Sequence, residues 1–138
     1  MRLENVIDWA VEEQGQKIVV EMCYLPTLSV NSYKTIKGII RREVRAWMDE
    51  LAFIVHLPIG MRRGRQLVPP ISVRIDGFFQ DRRHPDLSNL QKVTLDAVAQ
   101  GLGINDKHFR AQDGYVAVAK EQTQPSLRIT IEQIKEAL

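Results

Sequence analysis

Two aspartates and a lysine around one predicted helix are the residues whose types and spacing suit chemistry. Asp86 follows an alternating apolar stretch that predicts a buried strand, and Lys92 lies in the helix that comes next. Asp106 stands in the loop beyond that helix. A helix over 88–100 would be about 19 Å long, so the two carboxylates do not meet automatically. If they do meet, their oxygens would suit Mg²⁺, which takes few protein carboxylates and retains several waters.

Each of these residues also has a purely structural explanation. Asp86 could favour the positive end of the helix macrodipole. Lys92 could pair with Asp96 one turn later, and Asp106 could be a turn residue after Asn105. Each explanation suffices for its own residue, but the ordered set within one short stretch favours a common chemical role.

A strand, a turn and a helix would position these side chains. The strand covers the apolar alternation of 71–79, and Pro85 ends it. Ser88 and Gln91 have the spacing of a capping box, which predicts the start of the helix. Apolar residues then recur at helical spacing, and Gly101 is the expected end.

The remaining patterns predict an α+β fold. They indicate an amphipathic helix over 2–14, strands over 17–22, 115–120 and 127–131, a helix over 35–55 and a helical tail over 132–138. The order is an N-terminal helix followed by β-α-β-α-β-β. Two right-handed parallel crossovers and a closing hairpin would give a mixed sheet with helices packed on it. We expect one domain over 1–138, with the extra helix inside 1–16.

Composition restricts the function classes. The chain has 138 residues and a net charge of +2, so its total charge does not indicate nucleic acid, although arginines cluster at 41–45, 62–65 and 82–83. Cys23 is the only cysteine, which excludes a disulfide framework and a cysteine zinc site. No signal peptide or membrane-length apolar run is visible, so a cytoplasmic protein without a membrane partner is expected.

Two further loops have residues that suit phosphate contact. The segment 24–34 combines short polar side chains and backbone amides with a lysine, although an ordinary connection rich in turn residues explains it equally well. The basic segment 61–68 could follow a DNA backbone or be a plain surface loop.

The stretch from Arg82 to Asp106 resembles the RusA family of Holliday-junction resolvases, which are crossover-junction endodeoxyribonucleases. The similar residues are Arg82-Arg83-His84-Pro85-Asp86-Leu87-Ser88-Asn89-Leu90-Gln91-Lys92, Asp96-Ala97-Val98 and Gly103-Ile104-Asn105-Asp106. The likeness extends more loosely over 18–134. Ser88 stands where the family usually has a second aspartate, and the N-terminal helix would be an addition to the family fold.

This resemblance implies a Mg²⁺-dependent, or Mn²⁺-dependent, endonuclease that resolves four-way DNA junctions by phosphodiester hydrolysis in recombination and repair. Asp86 and Asp106 would hold the metal, Lys92 would stabilise charge on the phosphate, and Ser88 would complete the catalytic set. The implied DNA contacts are Arg82, Arg83, His84, Lys34, Asn31 and Asn89. The symmetry of a four-way junction also implies a homodimer.

Ser88 leaves alternatives open, because a hydroxyl is a weak Mg²⁺ ligand without charge. The site could use a water-mediated contact through Ser88, or another acid such as Asp81 or Asp113 could replace the missing carboxylate. The protein could also be a catalytically degenerate binder of branched DNA on the same scaffold. A third possibility is a small α+β interaction module whose acidic residues are structural.

Overall fold

The computed structural model describes residues 2–60 and 67–135, which contain five strands and two α-helices. In chain order these elements are β1 (Val6–Glu12), β2 (Lys17–Cys23), α1 (Arg42–Gly60), β3 (Ile71–Phe79), α2 (Gln91–Leu102), β4 (Phe109–Val118) and β5 (Ser126–Gln133). Short 3-10 turns occur at Glu13–Gly15, Pro26–Leu28, Leu87–Leu90 and Asp106–His108. No helix in the described ranges is both long and apolar enough to cross a bilayer.

The strands form one mixed sheet in the order β1-β2-β5-β3-β4. β3 and β4 are parallel, whereas β1 with β2, β2 with β5 and β3 with β5 are antiparallel. β2, β3 and β4 therefore run in the same direction, and their carboxyl ends lie along the same end of the sheet. This end is here called the carboxyl edge, as distinct from the outer strands β1 and β4. The predicted α+β class is confirmed at this level, and the loops that follow β2 and β3 extend from that common edge.

Alternation along the central strands places the core on one face of the sheet. The inward residues of β2, β3 and β5 are buried and pack in one cluster with apolar residues of both helices. Trp47 of α1 is fully buried, and its indole N–H donates a 2.8 Å hydrogen bond to the carbonyl of Cys23 at the end of β2. This bond satisfies the polar end of a large buried ring and fixes α1 against the sheet.

The predicted N-terminal helix is wrong, because residues Val6–Glu12 form a strand that pairs with β2. Trp9 lies opposite Val20 and Val11 opposite Ile18, so the apolar residues of this strand continue the helix-covered face. Val6, Ile7, Ala10 and Val11 fit a helical stripe in isolation. Without β1, the outer backbone N–H and C=O groups of β2 would lack partners in the sheet. Pairing with β1 supplies these partners, which the apolar pattern alone could not predict.

A buried carboxylate fixes the entry to this added strand. Glu50 of α1 is only 4% exposed, and it accepts a 2.8 Å hydrogen bond from the backbone N–H of Asn5. The side-chain amide of Asn5 donates to the other carboxylate oxygen. Burial, with a further contribution from Glu50, also raises the pKa of the Cys23 thiol.

The predicted closing hairpin is also wrong. β5 inserts between β2 and β3, while β4 pairs with the other side of β3. The last two strands are therefore not neighbours, and β5 lies at the centre of the sheet with Leu127, Ile129 and Ile131 fully buried.

Three helix predictions change as well. The second helix begins at Arg42 instead of residue 35 and ends at Gly60. The proposed helical tail is replaced by the end of β5, which continues to Gln133, and residues 136–138 lie outside the described part. The helix after β3 ends with Gly103 in the left-handed conformation (φ 67°), two residues later than expected. Most of the basic segment 61–68 also lies outside the described part.

Candidate functional site

Two loops that carry predicted contact residues are joined at the carboxyl edge of the sheet. The backbone N–H of Val30, in the loop after β2, donates a 2.8 Å hydrogen bond to the carbonyl of Asn89, beyond β3. Phe79, at the end of β3, packs edge-on against Tyr24 with ring centroids 5.2 Å apart and stacks on His84 at 4.8 Å. These contacts hold the two loops in a fixed relation to each other.

Lys34 is placed on this edge by the ordered backbone around it. Its neighbour Tyr33 is buried, and the Lys34 ammonium lies 5.3 Å from the centroid of that ring. The guanidinium of Arg41 donates a 2.7 Å hydrogen bond to the carbonyl of Ser32, and the Arg41 backbone N–H donates to the carbonyl of Tyr33. Asn31, the other contact predicted in this loop, is exposed.

Lys92 forms an ion pair with a carboxylate of its own helix. Its ammonium is 3.3 Å from the carboxylate of Asp96, which confirms the structural alternative of an ion pair within the helix. This hydrogen bond is the main reason why the pKa of Lys92 is raised, and Tyr33 and Asp106 add smaller electrostatic contributions. A shared site of Lys92 and Asp106, which the resemblance implied, stays a prediction.

Asp106 itself opens a short 3-10 turn, as a turn residue after Asn105. The side chain of Asn105 caps this turn by accepting a 3.0 Å hydrogen bond from the backbone N–H of Lys107. Asp106 is exposed and has a local structural explanation, so its predicted role in metal binding stays a prediction.

Asp86 and Ser88 flank the start of the 3-10 turn Leu87–Leu90, and both are exposed. The capping box predicted at Ser88 and Gln91 is wrong, because α2 begins at Gln91 and its N-cap residue is Leu90, which has no side-chain capping bond. The side chain of Gln91 instead donates a 2.6 Å hydrogen bond to Asp113 of β4. This bond connects the start of α2 to the edge strand, a contact between residues distant in sequence.

No group of three or more histidine, cysteine or acidic side chains in residues 2–60 and 67–135 is arranged to hold a metal ion. A Mg²⁺ ion at Asp86 or Asp106 would therefore take most of its ligands from water or from a bound phosphate. Mg²⁺ binding by these two residues stays a prediction.

The arginines after β3 differ in their pairing. Arg83 lies 3.2 Å from Asp81, and hydrogen bonds from the Arg83 backbone and side chain lower the pKa of that carboxyl group. Arg82 is exposed and has no ion-pair partner within the described ranges. His84 stacks on Phe79, so its ring helps to order the loop.

The open face of the sheet is a second charged surface, but its cations are already paired. Arg74 lies 3.1 Å from Asp76, and Arg128 lies 2.9 Å from Glu21. Lys17 also lies between two glutamates. These pairs give the face little excess charge, in contrast with Lys34 and Arg82, which form no ion pair with any residue of 2–60 and 67–135.

Sequence reasoning missed two features of this edge. Tyr24 and Phe79 connect the loops, although an aromatic residue at a strand end is the only local signal for this. Ile36 and Ile39 fall within the helix predicted over 35–55, but the helix begins after them and both side chains are exposed. Gly38, which has φ 79°, was the signal that the helix had not yet started.

Comparison with known proteins gives no family assignment. No family model matches the chain, and no curated protein matches it. Matching solved structures include 2C-methyl-D-erythritol 2,4-cyclodiphosphate synthase from Plasmodium vivax, with 10% identity over 78% of this chain and 66% of that one, at a TM-score of 0.36. IspF from Plasmodium falciparum, in its CDP complex, has 14% identity over 77% of this chain and 68% of that one, at a TM-score of 0.33. Both likenesses are too distant to transfer an activity.

The prediction of RusA family membership is wrong on these comparisons, since no family model matches the chain. The functions that it implied are corrected with it: junction resolution, metal-dependent endonuclease activity, a role in recombination and repair, and the degenerate form of that scaffold. The expected homodimer rested on junction symmetry and stays a prediction without that support.

Proposed function

We propose that this protein binds nucleic acid by contacting its phosphate backbone at the carboxyl edge of the sheet. The binding surface, here called the basic edge, consists of Asn31, Lys34, Arg82, Arg83, His84 and Asn89. The observation that carries the proposal is the 2.8 Å hydrogen bond from Val30 to Asn89, which joins the two loops that bear these residues.

Unpaired positive charge supports phosphate as the ligand. Lys34 and Arg82 are exposed and have no carboxylate partner within the described ranges, so their charges are available to an incoming anion. The cations of the open sheet face are neutralised by Asp76, Glu21 and neighbouring glutamates. An anion would therefore be drawn to the basic edge rather than to the sheet.

The polar residues between the cations suit a chain of phosphates. Asn31 and Asn89 carry amide groups that can donate to phosphate oxygens, and they lie on the two joined loops. A guanidinium can also bind a phosphate through two hydrogen bonds, and Arg82 is the exposed arginine suited to it. Such contacts read the backbone and not the bases, so affinity should depend weakly on sequence.

Titration of fluorescently labelled oligonucleotides, double- and single-stranded, tests the proposal by anisotropy at several salt concentrations. We expect the affinity to fall linearly on logarithmic axes as salt rises, because phosphate contacts release counterions. Arg82→Ala should weaken binding several-fold for all sequences and reduce the salt slope by about 1.

Arg110→Ala is the matched control. Arg110 is an exposed arginine at the start of β4, paired in register with Ser72 and thus at the opposite edge of the sheet. Arg110→Ala lowers the net charge of the protein by one, as Arg82→Ala does. Equal losses in Arg82→Ala and Arg110→Ala would show that only the total charge matters, and no binding to any oligonucleotide at low salt would refute the proposal.

A further inference from the structure

The loop before α1 ends in a tight turn that presents two isoleucines to solvent. This turn, here called the apolar tip, comprises residues 35–39. The backbone N–H of Thr35 donates to the carbonyl of Ile39 at 2.8 Å, and that of Gly38 donates to the carbonyl of Thr35 at 2.9 Å. Lys34 and Ile40 pair as an isolated antiparallel bridge at its base.

The turn is held in shape by its backbone and not by its apolar side chains. Gly38 has φ 79°, a backbone conformation that residues with a side chain rarely adopt. The Thr35 hydroxyl accepts a 3.3 Å hydrogen bond from the Ile39 backbone N–H. Ile36 is fully exposed and Ile39 is 63% exposed. Burial of isoleucine is the usual source of its stabilising effect, and here the fold gains almost none of it.

Cations surround this apolar pair. Lys34, Lys37, Arg41 and Arg42 lie within or beside the tip, and the segment 34–42 contains no acidic residue. A partner that fits must therefore be anionic outside and apolar inside. A nucleic acid has this arrangement, since its charged phosphates flank stacked bases.

We propose that the apolar tip is a wedge that inserts Ile36, supported by Ile39, between the bases of a nucleic acid held at the basic edge. The inference rests on the proposed function, because the tip belongs to the same loop as Lys34. A β-branched side chain suits this use, because it has few rotamers and loses little entropy on insertion. Apolar side chains that enter base steps are known to unstack them partly.

The fluorescence of 2-aminopurine tests this directly, because the base becomes brighter when it is unstacked. A duplex with 2-aminopurine at successive positions is saturated with protein at low salt, while anisotropy of a separate label follows binding. We expect the wild-type protein to raise the fluorescence several-fold at one or two positions, and Ile36→Ala to remove most of this rise. The salt slope of Ile36→Ala should stay unchanged, since no phosphate contact is lost.

Val68→Ala is the matched control, because Val68 is a β-branched residue with 54% exposure that precedes β3, away from the tip. It should retain the full fluorescence rise. Binding without any rise in the wild-type protein would overturn the wedge while leaving the proposed function intact. Absence of binding to the duplex would refute both the wedge and the proposed function.

A lipid surface also combines anionic and apolar parts, so it is tested as an alternative partner. Cosedimentation with vesicles of phosphatidylserine and phosphatidylcholine measures whether the protein binds such a surface. The wedge proposal predicts no binding that depends on Ile36. Vesicle binding that is lost in Ile36→Ala, with an unchanged 2-aminopurine signal, would assign the tip to a membrane surface and overturn the proposal.

Discussion

Gly101 of α2 lies directly against the backbone of Ala52 in α1. A Cβ atom added to Gly101 would be 2.5 Å from the carbonyl oxygen of Ala52 and 3.0 Å from its Cα. The neighbouring atoms belong to a helix backbone, so they cannot turn aside as a flexible side chain could. The approach of the two helices at this point therefore depends on the missing side chain, and it fixes where α2 lies on the sheet.

Gly101→Ala should destabilise the protein by about 1–3 kcal/mol, the usual cost of excess volume in a packed core. The sign is informative, because replacing glycine by alanine inside a helix normally stabilises it by about 0.5–1 kcal/mol. Urea unfolding followed by circular dichroism measures the difference. Gln100→Ala, at the exposed neighbouring position, should change the free energy of unfolding by less than about 0.5 kcal/mol. A more stable Gly101→Ala variant would contradict the close approach.

The pKa of Lys92 reports on its two acidic neighbours. Asp96 raises this pKa most, through a hydrogen bond, and Asp106 contributes least. We therefore expect Asp96→Asn to lower the pKa of Lys92 clearly and Asp106→Asn to lower it slightly, as measured by NMR titration of the lysine side chain. No response to Asp106→Asn would show that Asp106 does not approach this lysine.

The same pair has a defined pH dependence. Because the pKa of Lys92 is raised on folding, its contribution to stability is fully present below the pKa of a lysine in the unfolded chain. The contribution is lost as the pH rises through the raised value. Both side chains are partly exposed, so the effect of the pair should be only about 0.2–1 kcal/mol. The stability difference between wild type and Asp96→Asn should be constant near neutrality and shrink in strong alkali.

Phe79→Leu should weaken the connection between the two loops of the basic edge. The substitution retains an apolar side chain but removes the ring contacts with Tyr24 and His84. We expect a loss of about 1–2 kcal/mol in unfolding free energy. We also expect weaker oligonucleotide binding, because the loops that carry Lys34 and Arg82 would be joined by fewer contacts.

Phe53→Leu provides the control, since Phe53 lies on α1 and is 39% exposed. It should leave both stability and oligonucleotide binding nearly unchanged. If Phe79→Leu lowers stability but binds oligonucleotides as the wild type does, the aromatic contacts have no part in forming the basic edge.

Local pattern determined the central elements of this fold. Alternation of apolar and polar residues identified β2, β3 and β5, because one face of each strand is covered by helices. Helical spacing identified the bodies of α1 and α2. The family resemblance, not the spacing, suggested Lys34, Arg82 and Asn89 as contact residues, and these lie on two loops joined by the hydrogen bond from Val30 to Asn89. The family was assigned incorrectly, since a short resemblance over 82–106 does not establish a family.

Only the tertiary structure decided the arrangement of the edges. The residues of β1 fit a helix or a strand equally well, and pairing with β2 selected the strand. The insertion of β5 between β2 and β3 depends on contacts between residues far apart in sequence. The same holds for the bond from Val30 to Asn89 and for the exposure of Ile36, which turned an expected helix face into a projecting tip. A periodic pattern specifies which side of an element is apolar, but the element that covers that side is chosen by the whole chain.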